Sequence, residues 1–280
     1  MTLTSKIDFA VIFMVKNANP NGDPLNGNRP RTTIDGLGEL SDVCIKRKIR
    51  DRLSEQGYEI FVQSKEKNKD GHPTLYARAE HAGIFKNKEE ADIRLATCKK
   101  WIDVRSFGQV FAFKGKGKKE EETGLNACSL GIRGPVSIHP AFSITPVDVT
   151  STQITKCVNN EDENKKKSSD TMGMKHRVNK GIYVFYGSMS PHLAAHTGFS
   201  DEDAEAIKSI LPRLFENDSS SARPDGSMKI LKVIWWKHNS TNGQYSSARV
   251  HQSIELKNDE KDFLKINELE GLSPVVIPGF

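Results

Sequence analysis

The chain reads as an α+β protein, and three observations predict it. Apolar runs rich in β-branched and aromatic residues recur along the chain, two segments carry apolar residues at helical spacing, and polar turn-rich stretches separate them. At 280 residues with 36% hydrophobic and 28% charged content, the chain is long enough to bury a sizeable core and too apolar for disorder throughout.

Residues 7–15 (IDFAVIFMV), bounded by turn formers, read as a buried first strand. A Gly/Pro/Asn loop follows and carries Arg29 and Arg31. Ser41 then suits an N-cap with Asp42 in the first turn, and Ile45, Ile49 and Leu53 form the core stripe of a helix that Gly57 stops. Residues 63–72 (QSKEKNKDGH) are polar, and a second helical pattern spans 89–101. Strand character returns at 106–113 and 130–139, two runs that suit pairing as neighbours on either side of the charged run 114–124. A polar stretch at 159–170 predicts a surface loop before another strand at 181–189. Ser200 and Asp203 make an acidic capping box for a helix whose core face is Ala204, Ile207, Leu211 and Leu214, and Pro212 predicts its early end. Residues 229–236 (KILKVIWW) read as the last strand. Without insertions the order is strand, helix, strand, strand, helix, strand, the βαββαβ order of ferredoxin-like and RNA-recognition folds, with the run at 181–189 as an extra strand to accommodate.

The formal charge of +5, from 41 basic against 36 acidic residues, is too modest to indicate a polyanion partner by itself. Clustering is the stronger sign. The loop with Arg29 and Arg31 runs into a helix bearing Lys46, Arg47, Lys48, Arg50 and Arg52, and Lys46, Arg47 and Arg50 fall opposite the apolar stripe. Turn formers free backbone amides to face phosphate oxygens, and two adjacent basic elements suit a sugar-phosphate strand. Residues 105–113 partly match the basic and aromatic strand of RNA-recognition domains through Arg105, Phe107, Gly108 and Val110. Gln109 stands where an aromatic belongs, and Ser106 replaces a glycine. Gly131 and Gly134 flank Arg133 and permit close backbone approach to a ligand, while residues 171–177 form a further Gly-containing basic segment with Lys175, His176 and Arg177.

His192 and His196 lie four apart, but no Glu follows His192 and no third ligand stands nearby, so no metal site is expected. Asp23, Asp35 and Asp103 lie in or beside the basic elements, where they suit either turns or a divalent ion for phosphodiester cleavage. Cys44, Cys98, Cys128 and Cys157 form no ligand pattern and are expected to be reduced. No apolar run approaches the roughly 20 residues that span a bilayer, and the N-terminus lacks a signal-peptide core, so a cytoplasmic protein is expected.

The motifs NPNGDP, GNRPR, SDVCIKRKIRD, DVRSFGQVF, GIRGPV, TMGMKH, TGFS and SSSAR, in this order, resemble the Cas7 backbone subunit of type I CRISPR surveillance complexes, in the type I-C (Csd2-like) form. The resemblance runs nearly from end to end. It implies a single 1–280 domain with a modified RNA-recognition palm and inserted finger and thumb elements, the insertions at about 57–104, 114–124 and 156–180. It implies no enzyme activity and no cofactor. The implied role is to polymerise along CRISPR RNA, kink it with an inserted hairpin and present its bases to target DNA. Implied partners are further copies in a helical filament and Cas5-like, Cas8-like and small subunits. Carried over by motif, Arg29, Arg31, Lys46, Arg47 and Arg50 would grip the RNA backbone, Arg105 and Arg133 would line the palm, and Lys175, His176 and Arg177 would lie near the strand path; Phe107, from the aromatic strand pattern, would stack on a base if its strand face is open. The alternative is a metal-dependent endoribonuclease using the loop aspartates, as in related type III backbone subunits.

Overall fold

The computed structural model describes residues 1–84, 89–113, 128–155, 172–259 and 261–280. Strand β1 (Ile7–Ala18) leads to the paired two-residue strands β2 (Gly22–Asp23) and β3 (Arg29–Pro30), then to β4 (Leu37–Leu40). Helices α1 (Asp42–Glu55), α2 (Leu75–His81), α3 (Glu90–Lys100) and α4 (Ile102–Phe107) precede strands β5 (Gly108–Phe113), β6 (Cys128–Arg133), β7 (Val136–Ile138), β8 (Ala141–Pro146), β9 (Val149–Thr155) and β10 (Met172–Met189). The chain closes with α5 (Pro191–Thr197), α6 (Asp201–Ile210), β11 (Met228–Lys237), α7 (Ser247–Gln252), β12 (Ile254–Leu256), β13 (Leu264–Ile266) and β14 (Val275–Pro278).

The main sheet runs β14-β11-β1-β10-β8-β4, with β7 and β9 also pairing to β10, and each of these pairings is antiparallel. Two crossovers build its centre. From β1 the chain passes through the edge strand β4 and helix α1 and then takes its place at β8, with β10 between it and β1, and from β10 it returns through α6 at β11, again with one strand between. This is the split βαβ arrangement, and its strands are β1, β8, β10 and β11. The run at 181–189, expected as an extra strand, is therefore part of the centre of the sheet. The run at 106–113 does not enter the main sheet, and of the run at 130–139 only residues 136–138 do, as β7 on β10; the two runs pair with each other, as expected, through β5 and β6. Residues up to Phe107 are helical, and β5 pairs with β6 as a separate hairpin.

Backbone geometry explains the departure. A Cβ on Gly134 would stand 2.3 Å from the Ser106 carbonyl oxygen and 2.5 Å from the Gly108 nitrogen, and Gly108 itself has φ 79°. Only glycines allow this crossing, which turns the hairpin away from the sheet. Phe61, Trp101, Val104, Phe111, Leu130 and Ile132 gather there in a cluster distinct from the main core. The runs predicted as surface loops at 114–124 and 159–170 lie outside the described residues, as does the 156–171 part of the third insertion.

Strand alternation sorts the core into two layers. Phe9, Val11, Phe13 and Val15 of β1 meet Ile45, Ile49 and Leu53 of α1 and Ala204, Ile207, Leu211 and Leu214 near α6. Ala10 and Ile12 face the other way, onto Val250, Ile254, Phe263 and Leu272. Burial on both faces is why residues 7–15 are nearly unbroken apolar sequence. The register of β1 against β11 shifts between Ile12 and Phe13, so Met228, Ile230, Val233 and Trp235 all reach the helix side. Phe9 stacks on Trp235 at 5.3 Å, worth about 0.5–1.5 kcal/mol beyond area burial.

The caps are as expected. The Ser41 hydroxyl accepts from the Cys44 amide at 3.3 Å, and Ser200 with Asp203 closes a capping box. After Ile210 the chain tightens into a 3-10 turn at Leu211–Arg213.

The segment that covers the second face is pinned by a buried carboxylate. The Gln244 amide donates to His238 Nδ1 at 3.0 Å, so the other ring nitrogen, Nε2, carries the proton and donates to Asp8 at 2.9 Å. Lys6 lies 3.2 Å from Asp8 and donates to the Tyr245 carbonyl, and His251 of α7 approaches Asp8 at 3.6 Å while stacking on Tyr186.

Candidate nucleic-acid interface

The Gly/Pro loop and a projecting β arm meet at one hydroxyl. Arg29 on β3 donates to Ser151 Oγ of β9 at 3.1 Å, and His176 Nδ1 of β10 lies 2.8 Å from the same oxygen. Residues separated by more than a hundred positions thus converge. The arm is the distal part of β10 paired with β9, in register from Met172↔Thr155 to Val178↔Val149. Alternation gives it two faces: Lys175, Arg177 and Ile154 on one, and Met172, Met174 and His176 on the other. Lys175 and Arg177 are exposed, and neither meets a carboxylate among the described residues. Arg133, at the end of β6, is likewise exposed and unpaired among them. Arg31 is half-buried and stands 3.6 Å from Asp23.

Helix α1 is different. Lys46 pairs with Asp42 at 2.9 Å, Arg47 with Glu66 at 3.8 Å and Arg50 with Asp103 at 2.9 Å. Lys48 is paired with Asp218, and Arg52 holds Glu55 and the Glu216 carbonyl. Both are only 4% exposed, because residues from the 60–69 and 216–218 segments pack over what helical periodicity presents as a solvated face. Burial lowers the Lys48 pKa against the pull of Asp218. Asp218 is held below the usual carboxylate range, since Lys48 and Arg223 outweigh its own burial.

Arg50, Arg105 and Phe107 therefore hold the protein together instead of standing free for RNA. Arg105 makes a two-point contact with Asp203 at 2.8 and 2.7 Å and also reaches the Cys98 carbonyl. Phe107 ends a helix, packs against the main core and lies under the Arg50 guanidinium at 5.2 Å. It is on no strand. The sheet face used for base stacking in RNA-recognition domains is sealed here by α7, β12 and β13. The close approach allowed by Gly134 is to the protein's own backbone at 106–108, not to a ligand.

Two of the three aspartates carry structural duties. Asp103 is 1% exposed and accepts from the Phe61 and Val62 amides as well as Arg50. Asp23 caps a 3-10 turn through the Leu25 amide, and Asp35 is exposed. His192 is bonded to Asn242 at 2.7 Å. Among the described residues there is no group of three or more His, Cys, Asp or Glu able to hold a metal ion. No described helix is long and apolar enough to cross a membrane. Ser151 was invisible in the sequence, because a lone serine in a threonine-rich stretch carries no signal until β9 and β3 are brought together.

Comparison with known proteins agrees with this architecture. The family profile described as CRISPR-associated protein Cas7 matches residues 5–271. A curated relative, the CRISPR-associated protein Cas7 of Haloferax volcanii, is 25% identical over 276 residues, covering 95% of this chain and 79% of the relative. Among solved structures, a chain of a CRISPR RNA-guided surveillance complex in a pre-nicking state superposes with a TM-score of 0.52 at 16% identity, over 91% of this chain and 82% of that one, a likeness of fold. With the profile spanning nearly the whole chain, the protein belongs to the Cas7 family of CRISPR-associated proteins.

Proposed function

We propose that this chain is the guide-RNA-binding backbone subunit of a type I-C surveillance complex, without catalytic activity of its own. It polymerises head to tail along CRISPR RNA and presents the bases for pairing with target DNA, beside Cas5-like, Cas8-like and small subunits in the cytoplasm. Heterologous contacts that do not close leave an open helical filament. The observation that carries this role is the meeting of Arg29 and His176 at Ser151, which joins the basic loop to an arm whose Lys175 and Arg177 are free among the described residues. A carrier of variable guides must recognise phosphate and shape instead of base identity, and unpaired cations on one face of a β arm do that. In this assignment the β9–β10 arm is the hairpin that kinks the guide, and residues 57–104 form the finger.

Binding of unrelated RNAs of equal length, measured across a salt series, tests it. Affinity is expected to be independent of sequence and to fall steeply with salt. Affinity that followed base identity and ignored ionic strength would overturn it. Regularly spaced, magnesium-dependent cuts abolished by Asp23→Ala or Asp35→Ala would favour the nuclease alternative.

A further inference from the structure

Residues 217–227, which contain the SSSAR segment, lead into β11 and fold at once against the start of the Gly/Pro loop and against α1. The Ala222 carbonyl accepts from the Asn19 amide at 2.9 Å and the Ser227 carbonyl from the Lys16 amide at 2.8 Å, so the loop sits where β1 gives way to the Gly/Pro loop. Asp218 reaches across to α1. Its carboxylate holds the Lys48 ammonium, and the same Oδ2 accepts from Arg223 Nε at 3.1 Å.

One carboxylate thus serves two cations and can neutralise only one. Lys48 is 4% exposed and Arg223 27%, so the uncompensated charge is the one that solvent sees. The terminal guanidinium nitrogens of Arg223 make no hydrogen bond among the described residues. Its backbone is fixed by a tight turn, with the Ser220 amide donating to the Arg223 carbonyl at 2.8 Å and the Arg223 amide to the Ser220 carbonyl at 3.0 Å. The hydroxyl-bearing residues Ser219, Ser220 and Ser221 are exposed beside it. Lys48 of α1 and Arg223 of this loop meet at the same Asp218 oxygen, so cations distant in sequence share one spot, with Cys44 of α1 one turn away from Lys48.

We propose that Arg223 is a further phosphate-contacting residue of the RNA surface, aimed by Asp218 and continuing that surface from the Gly/Pro loop onto the 217–227 loop. This rests on the RNA-carrier role. A buried Lys48–Asp218 pair alone would have sufficed to dock the loop, and the second cation is what docking leaves unexplained.

Salt titrations of mixed-sequence single-stranded RNA against the full chain test the assignment. Arg223→Ala is expected to weaken binding by roughly 10-fold at moderate salt and to lower the salt slope by about 0.7, the share of one phosphate contact on a single strand. Arg223→Lys should restore the slope. Arg213→Ala serves as the control, since Arg213 lies nearby but is stacked on Phe280 at 3.8 Å, and it should leave binding unchanged. If Arg223→Ala loses fold, wild-type protein gives a second readout: bound RNA should protect Cys44 from N-ethylmaleimide, followed by peptide mass. A wild-type slope in folded Arg223→Ala, or an unprotected Cys44, overturns the proposal while leaving the carrier role intact. Wild-type protein indifferent to salt would overturn both.

Discussion

Helix α1 and the β9–β10 arm both look basic in sequence, and only one of them is basic in space. On α1 each of Lys46, Arg47, Lys48, Arg50 and Arg52 has an acidic partner, two of them deeply buried. On the arm, Lys175 and Arg177 face solvent without one among the described residues. Cation density along a chain therefore says little about a polyanion site until the carboxylates that fold onto it are known. The acidic residues that quench α1, Glu66, Asp103 and Asp218, come from segments the helix itself cannot specify.

The largest effect that would test this contrast is on stability. Asp103→Ala removes the partner of Arg50 and strands two buried amides, so it should destabilise the fold by about 3–5 kcal/mol, read from denaturant unfolding. Unchanged stability with lost RNA binding would place the site on α1 after all. For the same reason Arg50→Glu would report on folding more than on binding, since a glutamate at position 50 would face the buried Asp103.

Reversing Lys175 and Arg177 to Glu should do the opposite, weakening RNA binding on the order of 100-fold with no shift in unfolding midpoint. A lowered midpoint would mean that the arm is part of the core. Thermal melts and filter binding on the same preparation separate the outcomes.

Acidification acts at a third place, the carboxylate behind the sheet. Burial, opposed by Asp8, holds the His251 pKa below 6.5, so its contribution is complete above that value and is lost as pH falls below it. Asp8 is buried too, but hydrogen bonds from His238 and Ser247 and the charges of Lys6 and His251 leave its pKa below 3.8, so its share is lost only in stronger acid. Unfolding followed from pH 7 downward should show a first decline below pH 6.5 and a second below pH 3.8. His251→Gln should flatten the first alone. The smallest expected effect is Arg47→Ala, which breaks an exposed pair at 3.8 Å and should change stability by less than about 0.5 kcal/mol.

The central sheet and the helices packed on it were largely legible. Ile45, Ile49 and Leu53, the Ser200 capping box and the apolar run from Ile7 each carry local signals that the tertiary structure respects. Two things escaped. The run at 106–113 has strand composition, yet Gly108 and Gly134 divert it into a hairpin by a backbone crossing that no single-sequence pattern announces. The covering segment around α7 escaped because its hold on the sheet depends on Asp8, an acidic residue inside an apolar strand, meeting His238 across the sequence. For the site, Arg29, Lys175 and Arg177 were placed by motif and keep solvent access. Arg50 and Arg105, expected as part of the RNA surface, are paired to carboxylates 53 and 98 residues away, which no local pattern announces.

The bridge at Ser151 has a kinetic meaning. Because Arg29 and His176 already share its hydroxyl in the free chain, the arm's root is oriented without any ligand, and the entropy of ordering it is settled during folding. Under the proposed carrier role, encounter with RNA then requires less rearrangement, and each added copy would dock at a rate set by collision more than by hinge motion.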